Sequence, residues 1–191
     1  DLYVAALDKV WRYPNIVTRL DNPPQPELVT DDLPDDTHHG WKYLRFGPDN
    51  WLYLNIGAPC NICLSRDPRY ASIIRLQPDT GEQQIVAAGV RNSVGFTWHP
   101  KDNSLWFTDN GRDHMGDDIP DDELNRATQP GQHFGYPFIH ADGISDPRYG
   151  RQAQGPYTPP LLGLGAHVAP LGLSFYSGTQ FPDTNHNTLF I

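Results

Sequence analysis

Four apolar triplets recur along the chain in similar surroundings: Leu2-Tyr3-Val4, Leu52-Tyr53-Leu54, Leu105-Trp106-Phe107 and Leu189-Phe190-Ile191. Each has a polar residue within two positions upstream, respectively Asp1, Asn50, Ser104 and Thr188. Aromatic and large apolar side chains in short runs bounded by polar residues predict β-strands. A strand and turn precede two of the triplets, Leu44-Arg45-Phe46-Gly47-Pro48-Asp49 and Gly95-Phe96-Thr97-Trp98-His99-Pro100-Lys101, and a looser version, Leu173-Ser174-Phe175-Tyr176, precedes the last. Each unit therefore opens with a hairpin. Further strands follow at Lys9-Val10-Trp11-Arg12-Tyr13 and at Ser72-Ile73-Ile74-Arg75-Leu76, the latter with the turn Gln77-Pro78-Asp79-Thr80-Gly81.

The interval between the first three triplets is about 50 residues, the length of a repeat of four short strands, which is the blade of a β-propeller. The last interval is longer because Asp109 to Gly155 carries an insertion rich in Asp, Gly and Pro. The expected fold class is all-β, a β-propeller. Residues 1–191 are expected to form one partial domain, truncated at both ends, that starts inside one blade and stops in the middle of another.

Composition narrows the picture. The 17 Gly and 19 Pro would break long helices repeatedly. With 38% hydrophobic and 19% charged residues the chain is neither a disordered tail nor a membrane protein. Its formal net charge of -9 repels phosphate backbones, so nucleic acid is not an expected partner. The uncharged stretch Thr158 to Pro182 is interrupted by Pro and Gly and is not a membrane span. No signal peptide is visible in Asp1-Leu2-Tyr3-Val4, an absence of little weight for a truncated chain.

Four stretches carry candidate chemistry. His38-His39-Gly40-Trp41 stands before a predicted strand, where an imidazole can act as a base near neutral pH or be an ordinary surface histidine. Cys60 and Cys63 cannot make a complete thiolate zinc site by themselves. They leave a local disulfide, a redox pair or two free thiols; the lack of a βαβ context argues against a thioredoxin-like role, and the disulfide is favoured. In Gly89-Val90-Arg91-Asn92-Ser93-Val94-Gly95 a guanidinium and a carboxamide stand side by side at the mouth of a strand, suited to a polar ligand or to developing negative charge, or else simply solvated. The run from Asp109 to Glu123 holds seven carboxylates in fifteen residues and calls for a hard cation or for full hydration; it lacks EF-hand spacing.

Together these stretches resemble the glucose/sorbosone dehydrogenase family, six-bladed β-propellers that use pyrroloquinoline quinone and Ca²⁺, and within it the sorbosone dehydrogenase-like branch. The resemblance runs in the family's order through Thr37-His38-His39-Gly40-Trp41 with Phe46-Gly47-Pro48-Asp49, Gly57-Ala58-Pro59-Cys60-Asn61-Ile62-Cys63, Gly89 to Phe96, Thr108 to Asp113, Asp122-Glu123-Leu124-Asn125, and Phe134-Gly135-Tyr136-Pro137. It implies an oxidoreductase that moves hydride from a sugar or sugar-derived aldehyde or polyol to the quinone. His39 would be the catalytic base, Arg91 would stabilise charge on the cofactor, and Asn92 would hold cofactor or substrate beside it. The carbonyls of Gly111 and Arg112 would bind Ca²⁺ and cofactor, with Asp122 and Glu123 shaping the metal loop. Val94 stands where the sugar-oxidising members often carry glutamine, and Ser93 where proline is commoner, so substrate contacts there are expected to differ.

The resemblance further implies a small-molecule sugar or aldehyde substrate, an electron acceptor such as a cytochrome or quinone, and a periplasmic or otherwise exported location, which a close cysteine pair also suits. The disulfide ring would lie near the quinone. Two other readings keep the propeller: a Ca²⁺-dependent lactonase-like hydrolase, and a non-catalytic carbohydrate-binding protein. Retention of His39, Arg91 and Asn92 together argues against the latter.

Overall fold

Strands β1 (Leu2–Ala5), β2 (Val10–Tyr13) and β3 (Glu27–Thr30) form the first antiparallel sheet, with the first apolar triplet in β1. The computed structural model describes residues 1–191 and contains no α-helix. The second sheet runs through β4 (Leu44–Phe46), β5 (Leu52–Ile56), β6 (Ser72–Leu76) and β7 (Gln83–Ala88), each antiparallel to the next. The third opens in the same way with β8 (Phe96–Trp98), β9 (Leu105–Asp109) and β10 (Asp121–Ala127).

After β10 the chain leaves this sheet. It adds β11 (Gln132–His133) in parallel to the edge of β7 and forms a small hairpin of β12 (Ile139–His140) and β13 (Ile144–Ser145). It then returns as β14 (Leu162–Ala166), the fourth strand of the third sheet. A last hairpin, β15 (Ser174–Phe175) and β16 (Leu189–Phe190), carries the fourth triplet. The fold is thus all-β, made of successive blade sheets of a partial β-propeller, and no sheet closes on itself.

The repeat persists at atomic detail. Asn50 and Asn103 take the left-handed backbone that a tight turn requires, and asparagine tolerates it better than most residues. Just before each, an aspartate closes the turn: the Trp51 N–H donates to Asp49 Oδ1 (3.2 Å) and the Ser104 N–H to Asp102 Oδ1 (3.0 Å). The third strand of each blade then sends an arginine back to that aspartate, Arg75 to Asp49 and Arg126 to Asp102, both at 2.8 Å. Each arginine also covers an indole face, Arg75 that of Trp51 and Arg126 that of Trp106.

The core lies between blades. Alternation along a strand sends successive side chains to opposite faces. In β5, Leu52, Leu54 and Ile56 face the first sheet with Val10, Leu33, Ile74 and Leu76, whereas Tyr53 faces the third with Ile73, Val86, Phe96, Leu105 and Phe107. Every residue of β5 is buried as a result.

The acidic run, expected as a loop through Glu123, ends instead in a strand: Asp121, Asp122 and Glu123 open β10, a central strand paired on both sides. Asp-Asp-Glu-Leu-Asn-Arg-Ala has few strand-forming side chains. Its neighbours impose the extended backbone, and its carboxylates accept hydrogen bonds from amides of the adjoining loops.

Candidate active site

The loops that enter β4, leave β5, join β7 to β8 and leave β9 all emerge at one rim of the blades. That rim gathers the stretches picked out in the sequence. His39 sits before β4 with φ 52, a conformation rare for a non-glycine residue. Its Nδ1 lies 2.8 Å from the Ala58 carbonyl oxygen. Since a carbonyl only accepts, Nδ1 carries the hydrogen and Nε2 keeps the lone pair. Burial, reinforced by the Arg91 charge, pushes the imidazole pKa down to about 4, so His39 is neutral and able to accept a proton throughout the neutral range. His38 is exposed, its ring 4.1 Å from that of His39.

Gly57 is the point where His39 and Asn92 meet. A Cβ there would lie 2.5 Å from His39 Cβ and 3.2 Å from Asn92 Oδ1, so any side chain would displace one of them. The Asn92 side chain makes no hydrogen bond within the chain, and its carboxamide is left for a ligand.

Arg91 is 5% exposed yet heavily engaged. Its Nε donates to the Asn61 carbonyl (2.9 Å), Nη1 to the Asn110 carbonyl (3.0 Å), and Nη2 to Asn61 Oδ1 (2.9 Å) and Asp113 Oδ2 (3.4 Å). Burial lowers its pKa, opposed by Asp109 and Asp113, but a guanidinium stays charged. Its backbone is fixed from below by Asp109 at the end of β9: the Arg91 N–H donates to Oδ2 (2.8 Å) and the Asn92 N–H to Oδ1 (2.6 Å).

The Gly111-Arg112 turn is held in a comparable way. The Gly111 N–H donates to Asp122 Oδ1 (2.6 Å), and the other oxygen of Asp122 accepts the Ala169 N–H (2.7 Å). The Arg112 side chain is tied down by Asp146 at 2.6 Å. Asp146 also binds His140 (2.9 Å) and the Arg148 and Tyr149 amides. Neither the Gly111 nor the Arg112 carbonyl accepts a hydrogen bond from the chain. Two unengaged carbonyl oxygens on a fixed turn suit a hard cation.

Glu123 is placed differently from Asp122. Successive strand residues face opposite ways, and Glu123 is buried behind the turn, with Oε1 accepting the Ala141 N–H and Oε2 accepting from Asn125 Nδ2, both at 2.8 Å. It lies directly across the ladder from Asp109. Burial raises both carboxyls above the ordinary range, Glu123 to about 7. No three His, Cys, Asp or Glu side chains converge as a metal cluster. The cation donors that the turn offers are main-chain ones, with Asp122 as the buttress.

A cleft of about 370 Å³ opens over Arg91, Asn92, Asn110, Gly111, Asp113 and His167, within the roughly 300–1,000 Å³ usual for small-molecule sites. Cys60 and Cys63 form a disulfide on the hydroxyl of buried Tyr136. Reading the sequence missed Asp109, Asn61 and Tyr136 as organising residues. All three stand within motifs already noted, but nothing local shows whom they bind.

The family described as Glucose / Sorbosone dehydrogenase matches residues 26–191. A protein of Borreliella burgdorferi, described as uncharacterized, is 35% identical over 204 residues, covering 100% of this chain and 53% of that protein. Among solved structures, the calcium structure of a Trichoderma reesei carbohydrate-active enzyme of family AA12 superposes with a TM-score of 0.78 at 19% identity, over 92% of this chain and 55% of the other. The PQQ-bound aldose sugar dehydrogenase of Streptomyces coelicolor gives 0.66 at 22% identity, over 90% and 51%. The chain spans about half the length of the curated relative and of these structures. Blade architecture, the order of the motifs and the family match over most of its length agree, and the chain belongs to the glucose/sorbosone dehydrogenase family.

Proposed function

We propose that the protein oxidises a sugar or a sugar-derived aldehyde or polyol with pyrroloquinoline quinone as hydride acceptor and Ca²⁺ as its partner. The observation that carries this is the convergence at one rim of a neutral imidazole with a free Nε2, a buried guanidinium, and a turn with two unengaged carbonyls. Bound there, the quinone supplies a two-electron acceptor for the hydride on the substrate carbon, and the cation polarises it.

The chain's own residues do the rest. His39 Nε2 takes the proton of the substrate hydroxyl, while the Nδ1–H to Ala58 fixes the ring in the required tautomer. Arg91 sets a fixed positive charge where negative charge develops on oxygen; because its donors are already oriented, little reorganisation is needed during transfer. Asn92 offers its carboxamide beside it. The Gly111 and Arg112 carbonyls would hold the Ca²⁺, with Asp122 and Asp146 keeping the turn in shape. Glu123, engaged with the Ala141 amide and Asn125, does not line the cleft.

We extend the proposal to an electron acceptor such as a cytochrome or quinone and to a periplasmic or otherwise exported location, which the Cys60–Cys63 disulfide favours. The test is dye-linked oxidation of an aldose panel by the apoprotein. Activity is expected only when both quinone and Ca²⁺ are added, with a loss of about 10²–10⁴-fold in His39→Ala. Full hydrolysis of a lactone without quinone would overturn the reading in favour of a hydrolase.

A further inference from the structure

Asn61, one of the two residues between Cys60 and Cys63, has a direct hold on Arg91. Of the five guanidinium hydrogens, Asn61 takes two, one on its main-chain oxygen and one on Oδ1. The Asn110 carbonyl and Asp113 take two more, so one Nη1 hydrogen is left without an acceptor in the chain. Asn61 also pairs in both directions with the backbone of residue 113: the Asp113 N–H donates to Oδ1 (2.8 Å), and Nδ2 donates to the Asp113 carbonyl (3.1 Å). One side chain thus joins the loop after β5 to the loop after β9, with Arg91 clamped between them.

The clamp has a rigid base. Asn61 belongs to the four-residue ring closed by Cys60 and Cys63. The ring rests on Tyr136, whose Oη accepts the Cys63 N–H at 3.0 Å and lies 3.5 Å from Cys60 Sγ. Tyr136 is itself 5% exposed. A four-residue disulfide ring has little freedom to turn the Asn61 carbonyl away from Arg91 Nε.

We propose that Asn61, braced by the Cys60–Cys63 ring, is the positioning residue that sets the direction in which Arg91 presents its free N–H and its charge. The structural half of this claim concerns the apoprotein alone; its catalytic half rests on the function proposed above.

The structural half is tested on the apoprotein of the full chain by labelling with phenylglyoxal, an arginine-selective dicarbonyl, and mapping the labelled sites by peptide mass spectrometry. Arg75 and Arg126, bound at the turns of Asp49 and Asp102, are internal controls. Asn61→Ala removes the Oδ1 acceptor and is expected to raise the Arg91 labelling rate by about 10-fold or more with the controls unchanged. Asn61→Asp keeps an acceptor at Oδ1 but loses the Nδ2–H bond to the Asp113 carbonyl, and is expected to label at a rate between those of the wild type and Asn61→Ala. Reducing the wild-type protein with dithiothreitol, which converts the disulfide to two thiols while the reagent becomes its cyclic disulfide, is expected to raise Arg91 labelling as well. This arm needs no variant to fold.

Unchanged Arg91 labelling in Asn61→Ala or after reduction, equal labelling of the Ala and Asp variants, or a parallel rise at Arg75 and Arg126, would overturn the proposal. In the quinone-loaded protein, Asn61→Ala should lower kcat and kcat/KM together by about 10-fold with KM for the sugar unchanged. A rise in KM with kcat unchanged would overturn the catalytic half. If the labelling results hold while the wild type oxidises no sugar, Asn61 still positions Arg91 and the proposed function fails by itself.

Discussion

Asp109→Asn is an isosteric change at the residue that seats both Arg91 and Asn92. Asp109 is 5% exposed, and its two oxygens accept the Asn92 and Arg91 amides at 2.6 and 2.8 Å. Asparagine keeps one accepting oxygen and turns an NH₂ toward the other amide, so one bond to a charged acceptor is lost and one buried N–H faces a donor. Each is worth about 1–3 kcal/mol. Removing a charge that lies across the ladder from Glu123 offsets part of this, since burial and Glu123 together hold the Asp109 carboxyl well above its ordinary range. The net expectation is a loss of about 2 kcal/mol, or about 4–8 °C in Tm for a domain of this size. Activity should fall further, by about 100-fold, because the Arg91-Asn92 backbone shifts on the scale to which catalysis is sensitive. Calorimetry and steady-state oxidation on the same preparations check both numbers. A variant that melts and turns over like the wild type would refute the argument that these two amides depend on both oxygens of Asp109.

Three further expectations follow from the same geometry. The imidazole of His39 is depressed to about 4, so its Nε2 is free above that pH and lost below it; the acid limb of kcat/KM should fall near pH 4, and a limb centred near 6.5 would contradict the assigned environment. Gly57→Ala places a methyl against His39 and Asn92 and should cost at least 10-fold in kcat with a cooperative melt retained, measured by kinetics beside thermal denaturation. Glu123 is raised from 4.5 to about 7, so the folded state holds a proton that the unfolded chain releases across that window, and stability declines as pH rises through it; urea midpoints should be lower at pH 8 than at pH 5 in the wild type and differ less in Glu123→Gln, where buried Asp109 alone keeps its raised carboxyl.

The blades were legible where local chemistry repeats. The triplets at Leu52 and Leu105 became β5 and β9, and the paired turns at Asp49 and Asp102 recur with the same aspartate, asparagine and arginine. Strand β10 was not legible, because its extended backbone comes from ladders to β9 and β14 and its buried carboxylates serve amides distant in sequence. His39, Arg91 and Asn92 stood out as polar residues at strand mouths, and the fold brings them to one rim. The support beneath them was hidden for the same reason as β10. Asp109 is 18 residues from Arg91, Asn61 is 30 away, and Tyr136 reaches Cys63 across 73. Within the acidic run, Asp109, Asp122 and Glu123 are committed to main-chain amides, which composition alone does not show.

The central claim is that this rim receives a quinone and a Ca²⁺ together. Titration of the full-chain apoprotein with pyrroloquinoline quinone, followed calorimetrically with and without Ca²⁺, tests it most directly. Saturable one-to-one binding is expected that needs the cation and weakens by about 10-fold or more in Arg91→Ala. Heat that is indifferent to Ca²⁺ and to Arg91, or no binding at all, would contradict it.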